Sequence, residues 1–201
     1  MFEEKIRRAA EFIRWLDAII DGKAITSEKK FLLAGCAFDL VMEYQKAIVT
    51  LVDLKIYGPA FAMMRPVREV FVRGVWLANC ASNEQVQDII DGNEFPGTNT
   101  LISEVEATAT YSGGQLSKVS DDMRKWMHGM THGGVEQFVY RFSGSVIEPA
   151  FSEGDIVELL DFVSAYAALS GIEICSLAND PDAAADIYRH LAMERGITPK
   201  W

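Results

Sequence analysis

Charged side chains recur at helical spacing in a stretch of the chain that is otherwise apolar. Arg65, Glu69 and Arg73 are four residues apart, so a helix places them on one stripe, with Arg68 and Trp76 beside it. The residues between them are mostly Phe, Met and Val, and a helix that is apolar on every side is usually buried. A buried charge needs a partner. We therefore expect Glu69 to be an internal counter-ion of Arg65 and Arg73.

A second group of polar side chains follows the same spacing. Arg124, His128, His132 and Glu136 are four residues apart and would share one face of a continuous helix. Glycines interrupt this segment, most obviously at Gly133–Gly134, and glycine weakens a helix. Their presence indicates either a close approach of another backbone or a break between two helices.

Three hypotheses remain open for this second group. The two histidines and the glutamate could bind a metal ion, although the neighbouring arginines would repel a cation. The histidines could instead satisfy buried carbonyls or a carboxylate such as Glu69. In the third hypothesis both groups form one catalytic or anion-binding pocket, because guanidinium groups bind phosphate and histidine moves protons near neutral pH.

The third hypothesis assigns roles to particular residues and calls for no metal and no cofactor. His132 would be the general acid or base, with Arg65 and Arg73 stabilising the charge that develops on the substrate. The expected ligand-binding residues are Arg68, Glu69, Trp76, Arg124, His128, Gln137 and Arg141.

The first group is positioned by a central helix whose ends are marked in the sequence. Gly58–Pro59 stops a long helix that we predict over 27–57, with Ser27 as its N-cap, and starts the central one. Pro66 lies inside the central helix and leaves the carbonyl of Ala62 without its amide partner. The kink either is a tolerated bend or widens a pocket beside Arg65, Arg68 and Glu69.

Apolar residues recur with helical periodicity along almost the whole chain. The pattern predicts a first helix over 2–21, a short helix opened by a capping box at Ser82, and a long helix capped by Ser152. Asp180 caps a last helix that ends near Gly196. We predict a single all-α domain over residues 1–201, an antiparallel helical bundle with two or three long helices.

Composition narrows the function classes. Apolar residues make up 49% of the chain, which indicates a folded globular protein. The net charge of −10 argues against non-specific binding to DNA or anionic lipid. The longest candidate for a membrane span, over 31–42, is short and contains Asp39, and three widely spaced cysteines suit reduced thiols. We expect a cytoplasmic protein with no membrane segment.

Part of the chain resembles an uncharacterised bacterial family of helical proteins that is distantly similar to the HEPN superfamily. The matching features are Tyr57-Gly-Pro-Ala, Arg65-Pro66 with Glu69, Arg73-Gly-Val-Trp76, and Thr131-His-Gly-Gly134 with Gln137 and Arg141. HEPN proteins are helical bundles, often dimeric, and many are metal-independent ribonucleases. Their signature is an arginine and a following histidine with four to six residues between them. Here three residues separate Arg124 from His128 and seven separate it from His132, so neither pair reproduces that spacing.

Two functions from different classes follow. The first is an enzyme that cleaves phosphodiester bonds in RNA or nucleotides without a metal. The second is a non-catalytic module, either an antitoxin-like dimerisation partner or a protein that binds a small anion. We also expect a homodimer formed through the long helices, because the apolar residues over 31–56 and 156–177 exceed what one bundle is expected to bury.

Overall fold

The computed structural model describes residues 2–119 and 121–194, and 72% of these residues are helical. The predicted all-α bundle is therefore confirmed. The helices are α1 (Phe2–Ile20), α2 (Lys29–Asp53), α3 (Tyr57–Ala62), α4 (Met64–Asn79), α5 (Asn83–Ile90), α6 (Thr98–Glu106), α7 (Asp121–His132), α8 (Val135–Val139), α9 (Glu153–Leu177) and α10 (Pro181–Glu194). Two short strands, β1 (Phe142–Ser143) and β2 (Val146–Ile147), lie between α8 and α9.

The core lies where α2, α4 and α9 meet. α2 packs against both α4 and α9, while α1 and α10 cover α9 from outside and α6 packs on α4. Two glycines allow the closest approaches. A Cβ at Gly74 would lie 2.7 Å from Cε1 of Phe38, and one at Gly171 would lie 2.7 Å from Cδ1 of Leu16. These contacts bring α4 onto α2 and α9 onto α1.

Helix α9 has the length and apolar content of a membrane span, and it was not the stretch that we singled out from the sequence. Of its most apolar window, 56% is buried among the other helices, which is typical of the core helix of a soluble protein. Eleven of its residues, from Ile156 to Cys175, are buried within the single chain. Part of the apolar excess that suggested a dimer through the long helices is thus buried inside the bundle, and the dimer stays a prediction.

Helix ends follow the sequence where a side-chain cap marks them. Ser82 forms the predicted capping box, and Ser152 is the predicted cap of α9 and forms a capping box as well. Oδ1 of Asp180 accepts a hydrogen bond from the amide of Ala183. The prediction of Ser27 as a cap is wrong, because α2 begins after Glu28 and has no side-chain cap there. Gly196, the predicted end of the last helix, lies outside the described residues.

The central helix is divided in two by Pro66. α3 ends at Ala62 and α4 begins at Met64, so the proline falls in the first turn of a new helix, where its missing N–H costs little. The amide of Val67 resumes the helical pattern by donating to the carbonyl of Met63 at 3.0 Å. The predicted kink is confirmed as a break between two helices.

The hairpin β1–β2 was not predicted. Its strands pair antiparallel, with Phe142 opposite Ile147 and Ser143 opposite Val146. Gly144, at the first central position of the turn, has φ of 60°, which suits a type II′ hairpin turn. Strands of two residues are too short to show an alternating pattern in the sequence, which explains the miss.

Candidate functional site

A cleft of about 200 Å³ opens between α4, the start of α6 and α7. It is lined by Arg65, Arg68, Glu69, Thr98, Asn99, Arg124, Met127 and His128. Among the described residues of the lining, three guanidinium groups face one carboxylate, in a chain whose net charge is −10. The cleft is thus a local basic region in an acidic protein. It brings together five residues predicted from the sequence to share a pocket: Arg65, Arg68, Glu69, Arg124 and His128.

Arg65 connects the two sequence groups. Its Nε donates to Oε1 of Glu69 at 2.7 Å, and its Nη1 contacts both Nδ1 of His128 and Nε2 of His132, the latter at 3.0 Å. The two histidine rings lie on successive turns of α7 with centroids 4.5 Å apart. A single guanidinium therefore joins a carboxylate on α4 to two exposed histidines on α7.

This contact fixes the tautomers of both histidines. A guanidinium only donates hydrogen bonds, so the ring nitrogens that face Arg65 must accept. His128 then carries its hydrogen on Nε2 and His132 carries its hydrogen on Nδ1. The same geometry disfavours the metal hypothesis, because Arg65 takes one nitrogen of each ring and its positive charge repels a cation. Among the described residues, no cluster of three or more potential metal ligands is found.

Glu69 pairs with arginines on both sides. Besides its bond to Arg65, its Oε2 lies 3.7 Å from Nη2 of Arg73. The side chain of Glu69 is 20% exposed and those of Arg65 and Arg73 are 32% and 37% exposed. The expected counter-ion arrangement is present, but the stripe is half-buried rather than internal.

Arg68 is the charge that is buried. It is 5% exposed, its Nη2 donates to the carbonyl of Leu116 at 3.0 Å, and its Nε has no hydrogen-bond partner. It also lies beside the hydroxyl of Tyr166, whose pKa is raised by burial and partly lowered again by Arg68. Both contacts are to neutral groups. Within residues 2–119 and 121–194, no carboxylate pairs with Arg68.

The glycines of the second group end α7 and turn the chain into α8. Gly133 has φ of 68°, and the amide of Gly134 donates to the carbonyl of Gly129 at 2.7 Å, as in a Schellman motif. The carboxylate of Glu136 lies against Gly129, where an added Cβ would be 1.8 Å from Oε2. The break at Gly133–Gly134 and the close approach at Gly129 are both present, so the two explanations hold at different glycines.

Five predicted site residues lie outside the cleft, namely Arg73, Trp76, His132, Gln137 and Arg141. Trp76 is fully buried and its Nε1 donates to Oε2 of Glu104 at 2.6 Å, because α4 turns that face into the core. Arg73 lies 5.2 Å from the ring centroid of Phe95. These two residues therefore do not line the pocket in which we expected them.

Gln137 and Arg141 contact a different part of the chain. Gln137 donates to the carbonyl of Met130, and both side chains approach Gly58, where a Cβ would lie 3.3 Å from Oε1 of Gln137 and 3.9 Å from Cζ of Arg141. Because the chain breaks at Gly133–Gly134, α8 does not continue the face of α7. His132 contacts Arg65 but is not among the residues that line the cleft.

Sequence reasoning missed Thr98 and Asn99, which contribute the first turn of α6 to the cleft. It also missed the role of Thr131, whose hydroxyl lies 2.9 Å from the carbonyl of Ala62 that Pro66 leaves free. Pro96-Gly97 before Thr98 was a signal for a helix start, but nothing in the sequence pairs that start with Arg68.

The fold and the cleft define an all-helical bundle protein with an arginine- and histidine-lined cleft. The chain belongs to a family of unknown function, DUF6988, whose model matches residues 38–194. No curated protein and no solved structure matches the chain.

Proposed function

We propose that the cleft binds the phosphate of RNA or of a nucleotide and that the two histidines beside it cleave a phosphodiester bond without a metal, as the HEPN resemblance implies. One observation carries the proposal: Nη1 of Arg65 is shared between Nδ1 of His128 and Nε2 of His132 at the edge of a basic cleft. An arginine that holds two exposed histidines provides a phosphate ligand and two proton carriers in one place.

Substrate binding would release the histidines for catalysis. A phosphate oxygen accepts a charge-assisted hydrogen bond, which is about twice as strong as a neutral one, so it competes with the rings for Arg65. The freed Nδ1 of His128, which lines the cleft, then takes the proton of the ribose 2′-hydroxyl as its oxygen attacks phosphorus. His132, protonated from solvent, gives its proton to the leaving 5′-oxygen. The products are a 2′,3′-cyclic phosphate and a 5′-hydroxyl end, and no water or metal enters the step.

The test is cleavage of a mixed-sequence single-stranded RNA in the presence of EDTA. We expect His128→Asn and His132→Asn each to lower the rate by about 10²–10⁴-fold, the usual contribution of general acid–base catalysis. Arg65→Lys keeps the charge but loses the fork that reaches Glu69 and the histidines, so it should also lose activity.

Two matched variants control for the loss of a histidine or an arginine elsewhere. His190 on α10 stacks on Trp15 with ring centroids 4.2 Å apart, and Arg141 is exposed outside the cleft. His190→Gln and Arg141→Lys should keep wild-type cleavage. Activity that EDTA abolishes, or that survives in the His128→Asn, His132→Asn double variant, would reject the proposed mechanism.

A second candidate, a non-catalytic homodimeric module, is favoured by a different surface. The chain from α8 through the hairpin exposes a run of large apolar side chains, namely Val135, Phe138, Val139, Phe142, Val146 and Ile147, the last at 90%. A two-stranded sheet of this kind has unpaired edges, and pairing with the same edge of a second copy would cover both edge and side chains.

Light scattering at high micromolar concentration tests this candidate. A homodimer that Ile147→Lys or Phe138→Glu converts to a monomer, together with no RNA cleavage by the dimer, would make the module the better description. Leu32→Lys is the control, because Leu32 is also exposed but lies on the long helix α2 rather than on α8 or the hairpin. We place either activity in the cytoplasm, in keeping with the composition.

A further inference from the structure

The buried guanidinium of Arg68 has no counter-ion in the described part of the chain. Arginine does not deprotonate in proteins, so it cannot avoid the cost of burial by losing its charge. A buried ion that is not paired is among the costliest features that a fold contains. Arg68 lines the cleft, and its buried Nε has no hydrogen-bond partner. The missing charge is therefore expected to come from a ligand.

The start of α6 adds a second set of donors to the same cleft. Its N-cap is Gly97, with no side-chain cap and no acidic residue in the first turn, although Thr98 and Asn99 line the cleft. The first amides of a helix have no intrahelical partners, and the helix dipole favours an anion beside them. Arg68 and these amides belong to different elements that converge on one space.

The size of the cleft limits what part of a ligand enters it. The cleft has a volume of about 200 Å³. Arg68 is only 5% exposed, so a small group such as a phosphate reaches it more readily than a bulky nucleoside does. An open groove lined by Lys125, Gly129, Gly134 and Glu136 shares Arg124 and His128 with the cleft. A nucleoside can lie in that groove while its phosphate reaches inward.

We propose that Arg68 and the first turn of α6 form a seat for a terminal phosphate, so that the natural ligand is a nucleotide or RNA that carries a phosphomonoester end. A terminal phosphate has one ester bond and can enter the cleft with three free oxygens. An internal phosphodiester has substituents on both sides, and both would have to leave through the same mouth. The proposal rests on the proposed function: the terminal phosphate occupies the inner part of the cleft at Arg68, and the phosphodiester that is cleaved lies at the cleft edge beside Arg65 and the two histidines.

Calorimetric titration with two deoxy ligands separates the alternatives, because neither has the 2′-hydroxyl needed for cleavage. Deoxyadenosine 5′-monophosphate offers a terminal phosphate, and the deoxyadenosine dinucleoside monophosphate offers only an internal one. We expect the mononucleotide to bind at least tenfold more tightly, and inorganic phosphate to compete with it.

Two variants test the two halves of the seat. Arg68→Met removes the charge with little change in length, so mononucleotide binding should fall at least tenfold. The unliganded variant should melt at or above the wild-type temperature, because an uncompensated buried charge is gone. Thr98→Pro removes one amide hydrogen at a helix position that tolerates proline, and Gly97 already has the extended φ of −56° and ψ of 143° that suit a following proline. Thr98→Pro should weaken the binding of the mononucleotide and leave the melting temperature of the free protein unchanged.

Each outcome bears on one proposal. Equal or tighter binding of the dinucleoside monophosphate would overturn the terminal-phosphate seat while leaving phosphodiester cleavage in place. Mononucleotide binding that Arg68→Met preserves would also overturn the seat. If neither ligand binds and no RNA is cut, both the seat and the proposed function fail.

Discussion

The hydroxyl of Thr131 on α7 lies 2.9 Å from the carbonyl oxygen of Ala62, the carbonyl that would bond the amide of residue 66 if that residue were not proline. The same hydroxyl lies 2.8 Å from the carbonyl of Met127, as is common for threonine in a helix. The one hydroxyl hydrogen is shared between the two carbonyls, so a side chain from another helix partly replaces the missing amide. It also holds α7, with its histidines, against the break between α3 and α4.

Thr131→Val tests this relationship, because valine keeps the shape and removes the hydroxyl. The carbonyl of Ala62 would be left without a donor, and we expect the free energy of unfolding to fall by about 1–3 kcal/mol. Thr50→Val is the matched control. Thr50 also bonds the carbonyl four residues before it, that of Lys46, but it is exposed. Equal effects of the two changes in urea unfolding would show that the contact to Ala62 contributes nothing.

Glu69→Gln tests the charge stripe on α4. The arginines on either side would lose their carboxylate, but all three side chains are partly exposed, so water screens part of the loss. We expect a cost of about 1–2 kcal/mol, between the values for exposed and for buried pairs and below what complete burial would give. Glu4→Gln serves as the control, because Glu4 bonds Arg7 and Arg8 in the same way on the exposed face of α1. A thermal shift for Glu69→Gln no larger than that for Glu4→Gln would contradict the prediction.

The half-buried pair of Tyr111 and Glu173 should make stability depend on pH. Burial raises the pKa of Glu173 above its ordinary 4.5, with the hydrogen bond from Tyr111 opposing this only in part. Burial and the neighbouring Glu173 likewise raise the pKa of Tyr111. The folded protein therefore holds the Glu173 proton more tightly than the unfolded chain does. As pH rises above 4.5, the unfolded chain ionises first, so this group loses stability as pH climbs through its raised value.

Glu173→Gln removes that loss while its amide oxygen still accepts from Tyr111. The variant should gain stability over wild type as pH rises from 4.5 to 8, measured as the difference in unfolding free energy at each pH. Glu158→Gln, at an exposed position of the same helix, controls for the change in net charge. A Glu173→Gln difference that stays flat with pH would refute the assignment.

Gly133→Ala tests the end of α7. Gly133 has φ of 68°, a conformation that is strained for alanine, and we expect a cost of about 1–2 kcal/mol. Gly154→Ala is the contrast, because Gly154 lies inside α9 without a positive φ, and an added Cβ would be in ordinary contact with Oγ of Ser152 at 3.5 Å. That change should stabilise by about 0.4–1 kcal/mol through the unfolded chain. Chemical denaturation of both variants checks the pair, and the prediction fails if their effects have the same sign.

The sequence alone determined the helical fold and the local parts of the site. Apolar periodicity predicted the bundle, the boxes at Ser82 and Ser152 marked helix starts, and Pro66 marked a kink, because each depends on neighbours within a few residues. Spacing by four residues likewise placed Glu69 between Arg65 and Arg73 correctly. The β1–β2 hairpin was not predicted, because strands of two residues are too short to show an alternating pattern.

Only the tertiary structure decided which helices meet at the cleft. In the folded chain His128 lines the cleft and His132 lies at its edge. Gln137 and Arg141 lie near Gly58 instead. Trp76 is buried and bonds Glu104. Contacts between distant segments depend on how whole helices pack. The turn at Gly133–Gly134 also changes the direction of the chain, so α8 does not continue the axis of α7. The same packing buries Arg68 beside the start of α6, a pairing 30 residues apart in the chain that no local pattern contains.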